Sequence, residues 1–482
     1  MPSSSAPQPD AESGDQPSNA DQVQLERLGY RQELRRGFGT FSSFALSFSV
    51  ISILTGAVQL YGWGLKHGGP AGVLGGWLLV SVLTLPMALS LGQLASAYPT
   101  AGALYHWSTI LGGPKWGFVT AWLNTLGQVA ITAAIDYGLA EFLCGLLNLE
   151  PNRSTVLLTY ALLLSSHAML NHVGVKAVDL LSTLSAWYHL AAVALVVAAV
   201  GWWAPLQPMA FAFSTVTSES SYAMGFMLGL LQAQWTFTGY DASAHVTEET
   251  VDPSRAAPKA IVSAVVVSAI AGFALLIAVT LSITDLPALL ALPDAQVFPQ
   301  AVAQALGPQL GTAVVVVCAG AMWFCGLGSL TSNSRMLYAF ARDGGLPAAR
   351  QLARVSPRWQ SPHLAVWACA GCALLLALWA DAYAAITALS TIALYASYAL
   401  PVALGMASRR RGSWSRFGPF DLKQWSLPVN AIAVGWTGVV MVLFVLPPNQ
   451  LAGYAFVGTL VWLAGYWLLY QRTRFRPPIR SQ

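Results

Sequence analysis

The chain has 482 residues, of which 55% are apolar and only 9% charged. Ordinary soluble domains carry about 25% charged residues, so a water-soluble enzyme or binding module is excluded and a bilayer is the expected surrounding. The formal net charge is +4, and it sits where it reports topology, giving no reason to invoke nucleic acid. Five cysteines (Cys144, Cys318, Cys325, Cys369, Cys372) all lie in apolar stretches. Cys369 and Cys372 make a C-x-x-C, but with no Cys or His nearby, packing is the better reading than metal or redox chemistry. No phosphate-binding glycine loop, zinc spacing or hydrolytic triad is present, so no cofactor and no enzyme are expected.

Residues 1–37 are polar, rich in Ser, Pro, Asp and Gln, and lack the apolar core of a cleavable signal. They read as a disordered cytoplasmic tail, with a short amphipathic lead-in through Arg27, Tyr30, Arg31 and Arg36. Apolar stretches able to cross a core of roughly 30 Å as helices then recur along the chain. They fall at about 38–65, 71–96, 116–147, 154–171, 175–202, 222–249, 259–284, 310–341, 363–380, 383–406, 427–446 and 451–470, about twelve spans. Alternating strand patterns are missing, so the fold class is an all-α membrane protein. With the amino terminus in the cytoplasm, inner segments hold 21 basic residues and outer loops only Lys66 and Arg153. That asymmetry supports the span count and places both termini inside a cell membrane. Asn152-Arg-Ser in an outer loop matches a glycosylation sequon, a short pattern that also arises by chance.

Span one carries Ser49, Ser52, Thr55 and Gly56 at mid-membrane, which marks a break. Span three carries Asn124, Gln128 and Thr132, spaced by four and therefore on one inward face. Asp136 continues that face; a carboxyl at this depth is a functional candidate for gating or cation recognition, unless it lies near the outer end, as Glu141 does, and meets water. Span six begins as an apolar helix over Gly225 to Trp235, then meets Thr236, Thr238, Gly239 and Asp241 before reaching the other side. Backbone freed from helical hydrogen bonds cannot face lipid, so this break is buried in protein or lines a watered cavity where a solute binds. A glycine-kinked packing helix is the alternative. Gly225 and Gly229 form a GxxxG suited to close helix packing.

Spans one and six each open a set of five helices. Interrupted helices in corresponding positions are the pointer to an inverted repeat, here 38–202 and 222–406, with peripheral helices at 427–470 and a basic tail at 471–482. On the side reached by both EET-x-D-P and ARDGGLP turns, Glu248, Glu249 and Arg342 are candidates for a gate network, against solvated loop charges as the alternative.

Several ordered motifs carry a resemblance: GFGTFSSFALSFSVISILTG in span one, GQLASAYPTAGALYHW and GGPKWGFVTAWLN before and into span three, TFTGYDASAHVTEET with the Pro253 and Pro258 turn after span six, and SNSRMLYAFARDGGLP closing span eight. Over about residues 34–470 the chain resembles the amino acid, polyamine and organocation permeases, and within them the amino acid and choline transporter branch that includes GABA permeases. The resemblance implies the leucine-transporter-type five-plus-five inverted repeat with broken helices one and six, two extra carboxy-terminal helices, and alternating access driven by a coupling ion. It implies a substrate site at Ser52, Ile53, Leu54, Thr55 and Gly56, whose N–H groups receive a carboxylate. The second half is Trp235, Thr236, Phe237, Thr238, Gly239 and Tyr240, with an aromatic gate and carbonyls facing an amine; Gln128 adds a polar wall. Helix amino-terminal ends favour anions, and carbonyl ends and aromatic faces favour ammonium groups, so the division is physically sensible. Trp235, Phe237 and Tyr240 taken singly also suit ordinary packing.

The family pattern places a lysine thirteen residues after GVK in several proton-coupled members. Here that register holds His189, thirteen after Lys176, with Ser329 and Thr331 of span eight as expected facing hydroxyls. Histidine can carry a proton near neutral pH; a neutral ring bonded to a helix carbonyl is the alternative. The expectation is a permease importing a small amino acid or GABA-like amine by proton symport. Other readings are an ion-independent exchanger, a choline or polyamine carrier, or a non-transporting nutrient sensor.

Overall fold

The computed structural model describes residues 19–150, 152–379, 383–414 and 416–477. Backbone N–H and C=O groups in hydrocarbon need partners within their own segment. Accordingly the described chain is helical throughout, apart from a single bridge between Phe38 and Thr250. Span one is Thr40–Ile51 and Ile53–Gln59, continued by residues 61–68. The helix Tyr61–Ala97 turns at Gly69, whose φ of 62° needs glycine, and residues 70–97 form span two. Spans three, four and five are Pro114–Leu146, Arg153–His172 and Val175–Trp203. Span six is Tyr222–Gly229 and Leu231–Thr236, then a non-helical stretch, then the short helix Ala242–His245. Span seven is Pro253–Leu281; the helix Asp294–Arg342 bends at Gly307, leaving residues 308–342 as span eight. His363–Trp379, Tyr383–Arg410, Ser426–Leu443 and Gln450–Tyr466 are spans nine to twelve.

Among the described residues nine helices are long and apolar enough to cross a membrane unaided. Spans four, six and nine complete twelve; six fails that test because its break leaves two short halves. Burial separates centre from rim: 89% of span one is buried, against 28% of span twelve, which faces lipid.

The halves of the two broken helices pack closely. On one side Gly225 lies against the His67 carbonyl, and a Cβ on Gly229 would come 3.3 Å from the Gly68 nitrogen. On the amino-terminal side the Gly37 and Phe38 N–H groups both donate to the Glu249 carbonyl, at 2.8 and 2.9 Å, and Val251 N–H donates back to the Phe38 carbonyl at 3.0 Å.

The expected disordered tail is ordered from Asn19 onward. Asn19–Arg27 is a helix, and Leu25, Leu28, Tyr30 and Leu34 are buried against the amino-terminal end of the bundle. These four apolar residues are few among polar ones, but spaced to cover the mouth of the helices. Residues 1–18 lie outside the described residues. Asn152 of the sequon caps span four, its Oδ1 accepting from Thr155 N–H at 2.9 Å.

Candidate functional site

The span-one break is a single residue. Ser52 adopts φ 33° and ψ 85°, a left-handed conformation that is strained for a side-chain-bearing residue and is held by burial on all sides. The helix restarts at Ile53, so its first N–H groups, at Ile53 and Leu54, lack intrahelical partners. The span-six helix ends at Thr236. Its freed carbonyls are met from span ten, where Tyr395 Oη donates to the Phe237 carbonyl at 3.2 Å. Gly239, with φ 77°, donates its N–H to Tyr398 Oη at 3.0 Å, and Ser47 Oγ donates to the Tyr240 carbonyl at 2.9 Å.

Gly56 lies directly against Thr236: a Cβ there would stand 2.8 Å from the Thr236 Cα. Between the breaks lies a cavity of about 10 Å³, bounded by Val50, Ile51, Thr55, Gly56, Ile131, Ile135, Trp235, Thr236 and Cys325. That is room for about one water, so the site is closed down in this conformation. Toward the side away from the amino terminus lies a further cavity of about 50 Å³, walled by Gln59, Trp63, Phe142 and Leu231 among others.

The expected substrate residues therefore divide. Thr55, Gly56, Trp235 and Thr236 line the cavity. Phe237 turns away and packs on Trp77 at 4.8 Å, and Thr238 bonds the Trp235 carbonyl at 2.6 Å. Trp235 is anchored by its Nε1 donating to Ser390 Oγ at 3.2 Å. Tyr240 packs against Tyr398 with the rings tilted, centroids 5.1 Å apart, and its buried hydroxyl is without a hydrogen-bond partner among the described residues. Gln128 does not line the cavity; it donates to Ser332 Oγ at 3.1 Å. Asn124 reaches Ser397 on span ten and Thr132 reaches Ser329 on span eight, so the polar face of span three binds the helices around the site.

His189 sits at the span-one break. Its Nε2 is 2.8 Å from Ser52 Oγ, and its Nδ1 is 2.8 Å from the Ser185 carbonyl. Ser329 and Thr331 do not face it: Ser329 bonds Thr132, and Thr331 donates to Asn171 Oδ1 at 2.8 Å. Span eight presents those hydroxyls to spans three and four because its register is fixed by the polar contacts of both. Asp136 does not meet water at a helix end; it is fully buried, with Oδ2 3.0 Å from His167 Nδ1 of span four.

A family profile described as amino acid permease matches residues 38–469. The chain belongs to the amino acid permease family. It is 35% identical to the amino-acid permease BAT1 of Arabidopsis thaliana, over 95% of this chain and 96% of that one. It is 34% identical to the BAT1 homolog of Oryza sativa subsp. japonica, over 99% and 98%. With the GABA-specific permease of Saccharomyces cerevisiae it shares 29% identity over 94% of this chain and 85% of that one. The protein is thus a multi-pass membrane transporter of amino acid permease type and not an enzyme.

On the amino-terminal side two buried ion pairs tie the segment after the span-six break to span eight. Arg342 makes a two-pronged contact with Glu248, at 2.9 and 3.0 Å, and its guanidinium lies 4.1 Å over the Tyr30 ring. Glu249 does not share Arg342. It takes Arg335, a fully buried arginine of span eight, at 3.0 and 3.3 Å, while Arg335 Nη1 donates to Asn171 Oδ1 at 3.0 Å. Both carboxylates are at most 1% exposed, so these are not solvated loop charges. Burial works against the charged form of Glu248, yet Arg342 beside it and the Ala101 N–H hold its carboxyl below the usual carboxylate range. Next to this gate Asp343 Oδ2 accepts from Tyr30 and Tyr105 at 2.7 and 2.8 Å, with His106 Nε2 at 3.2 Å. Burial pushes the His106 imidazole below its ordinary value, opposed by its bond to Asp343.

Proposed function

We propose that the permease imports a small amino acid or GABA-like amine by alternating access, with the substrate held between the breaks of spans one and six and a proton carried along. One observation supports this most: two helix ends of opposite polarity meet at Gly56 and Thr236, with cavities on one side and a closed double ion pair on the other. Helix starts at Ile53 and Leu54 suit a carboxylate, and carbonyls and rings from Trp235 to Tyr240 suit an amine. Ile131, Ile135 and Cys325 leave an apolar wall that favours a short aliphatic backbone over a bulky polar side chain. The basic-residue asymmetry supports a plasma-membrane topology with both termini cytoplasmic, so the ion pairs form the inner gate.

His189 is the proposed coupling residue. As a neutral ring its Nδ1–H donates to the Ser185 carbonyl and its Nε2 accepts from Ser52. A proton on Nε2 reverses the second bond and so acts on the strained residue of the span-one break. The same observation favours a second reading, ion-independent exchange, because the neutral ring already has both nitrogens paired.

Counterflow into proteoliposomes with labelled amino acids, GABA, choline and putrescine, with and without an imposed pH gradient, tests both. Uptake that rises with an inward proton gradient and collapses with a protonophore supports symport. Exchange indifferent to pH leaves the exchanger. Binding without flux overturns the transport reading altogether.

A further inference from the structure

We propose that Asp241 and His245 form a buried proton-binding site that latches the span-six break to the cytoplasmic gate. The argument is a hydrogen-bond inventory. His245 Nδ1 lies 3.1 Å from the Ala101 carbonyl, which can only accept, so Nδ1 carries a hydrogen. Gly239 N–H donates into Tyr398 Oη, leaving the tyrosine hydrogen for Asp241 Oδ1 at 2.8 Å. There remain His245 Nε2 and Asp241 Oδ2, 3.1 Å apart. Two lone pairs do not face each other at that distance, so a second proton lies between them and the pair is neutral overall. His245 at 0% and Asp241 at 1% exposure are out of reach of water that would otherwise screen an unpaired carboxylate. By the same inventory His189 is complete without an added proton.

Among the described residues no neighbouring charge substitutes for that proton. Span eight, packed on Ala242–His245, offers Arg335 and Arg342, both held by Glu249 and Glu248. Span one offers the hydroxyls of Ser43 and Ser47, and the charged residues of span seven nearby, Arg255 and Lys259, are exposed. Arg36 of the lead-in donates to the Thr247 carbonyl, and Tyr240 and Tyr395 are the remaining titratable groups on the span-ten side.

The Ala101 peptide transmits the state of the pair. Its carbonyl is held by His245, and its N–H donates to Glu248 Oε1 at 3.1 Å, the same oxygen that Arg342 Nη2 engages at 2.9 Å. When a fluctuation of the gate admits water and the shared proton leaves to it, Nε2 and Oδ2 repel, the imidazole turns, and the segment supporting Glu248 is released. A more alkaline cytoplasm therefore favours opening of the inner gate. The inference rests on the permease reading only in that such an opening exists; it does not depend on His189.

Asp241→Asn is the decisive variant. The introduced amide oxygen accepts from Tyr398 and the amide N–H donates to neutral His245 Nε2, so every bond persists with no acidic proton. Gate opening is read without substrate by maleimide labelling of Ser43→Cys, a buried position bonded across to Thr250 at 3.3 Å, in a background where the exposed Cys372 is replaced by alanine. Rates are divided by those of the same denatured variant at each pH, to remove the thiol's own titration. With Asp241 present, labelling rises with pH; in the Asp241→Asn variant the pH-dependent component is lost and labelling stays low. Equal pH dependence in both overturns the proposal. The counterflow panel tests transport separately, so failure of either reading is recognised by itself.

Discussion

Gly56→Ala probes the contact on which the site depends. The added Cβ would stand 2.8 Å from both Cα and Cβ of Thr236 and overlap its hydroxyl. Ordinary carbon contacts begin near 3.5 Å, so the two breaks have to part by well over half an ångström, and neither neighbour is the far end of a flexible side chain. Overpacking of this kind costs about 1–3 kcal/mol. Because the helices touch here when the site is closed, the cost falls on the closed state, and at 1.4 kcal/mol per decade it lowers counterflow by about 5- to 150-fold. The assay is counterflow beside thermal unfolding in detergent, with Gly201→Ala as control, since a Cβ there meets nothing within 4 Å. Slow counterflow with unfolding destabilised by no more than that cost of about 1–3 kcal/mol supports the argument. Wild-type counterflow by Gly56→Ala refutes it, because the breaks would not then need to touch.

Arg335→Lys keeps the charge but loses one prong of the grip on Glu249 and the bond to Asn171; unfolding in detergent should show a loss of about 3–6 kcal/mol, two charge-assisted hydrogen bonds at about 1.5–3 kcal/mol each. His189→Gln should keep counterflow while losing stimulation by an imposed proton gradient, and unaltered stimulation removes His189 from coupling. His106 titrates below its ordinary 6.5 because it is buried, so the unfolded chain binds the proton more readily. Stability should therefore fall as pH drops below about 6.5, with a shallower slope in His106→Asn. Glu248, also depressed, adds its loss in a separate window below its ordinary 4.5, checked by the same melts with Glu248→Gln.

The spans were legible because a membrane leaves the chain little choice but long apolar helices, and the breaks because Ser52, Gly56, Thr236 and Gly239 are poor helix residues where lipid tolerates no loose backbone. Much of the cavity wall was not. Val50, Ile51, Ile131, Ile135 and Cys325 are apolar residues in apolar spans, indistinguishable by type from those facing lipid. Tyr395 and Tyr398 serve the span-six break from about 160 positions away, a proximity no local pattern carries. His167, partner of Asp136, was one of two histidines on span four with nothing local to single it out, and Arg335 was a single charge in an apolar span. Ser329 and Thr331 were placed by register alone, and register says nothing of the rotation that turns them to Thr132 and Asn171. The ordered lead-in from Asn19 was hidden by the polar composition around it.

The pairing of half-helices sets how many independent motions the molecule has. Glycine contacts join the halves of spans one and six that lie away from the amino terminus, and the exchange of N–H and C=O groups among Gly37, Phe38, Glu249 and Val251 joins the halves on the amino-terminal side. Four segments thus behave as two levers, pivoting at Ser52 and at residues 237–241. In the proposed alternating-access cycle a push on either amino-terminal-side half would carry the other with it, so a cross-link within one lever should be harmless, whereas one from either of those halves to spans three or eight should stall transport. Drugs or antibodies that wedge a single lever would for that reason arrest both breaks together.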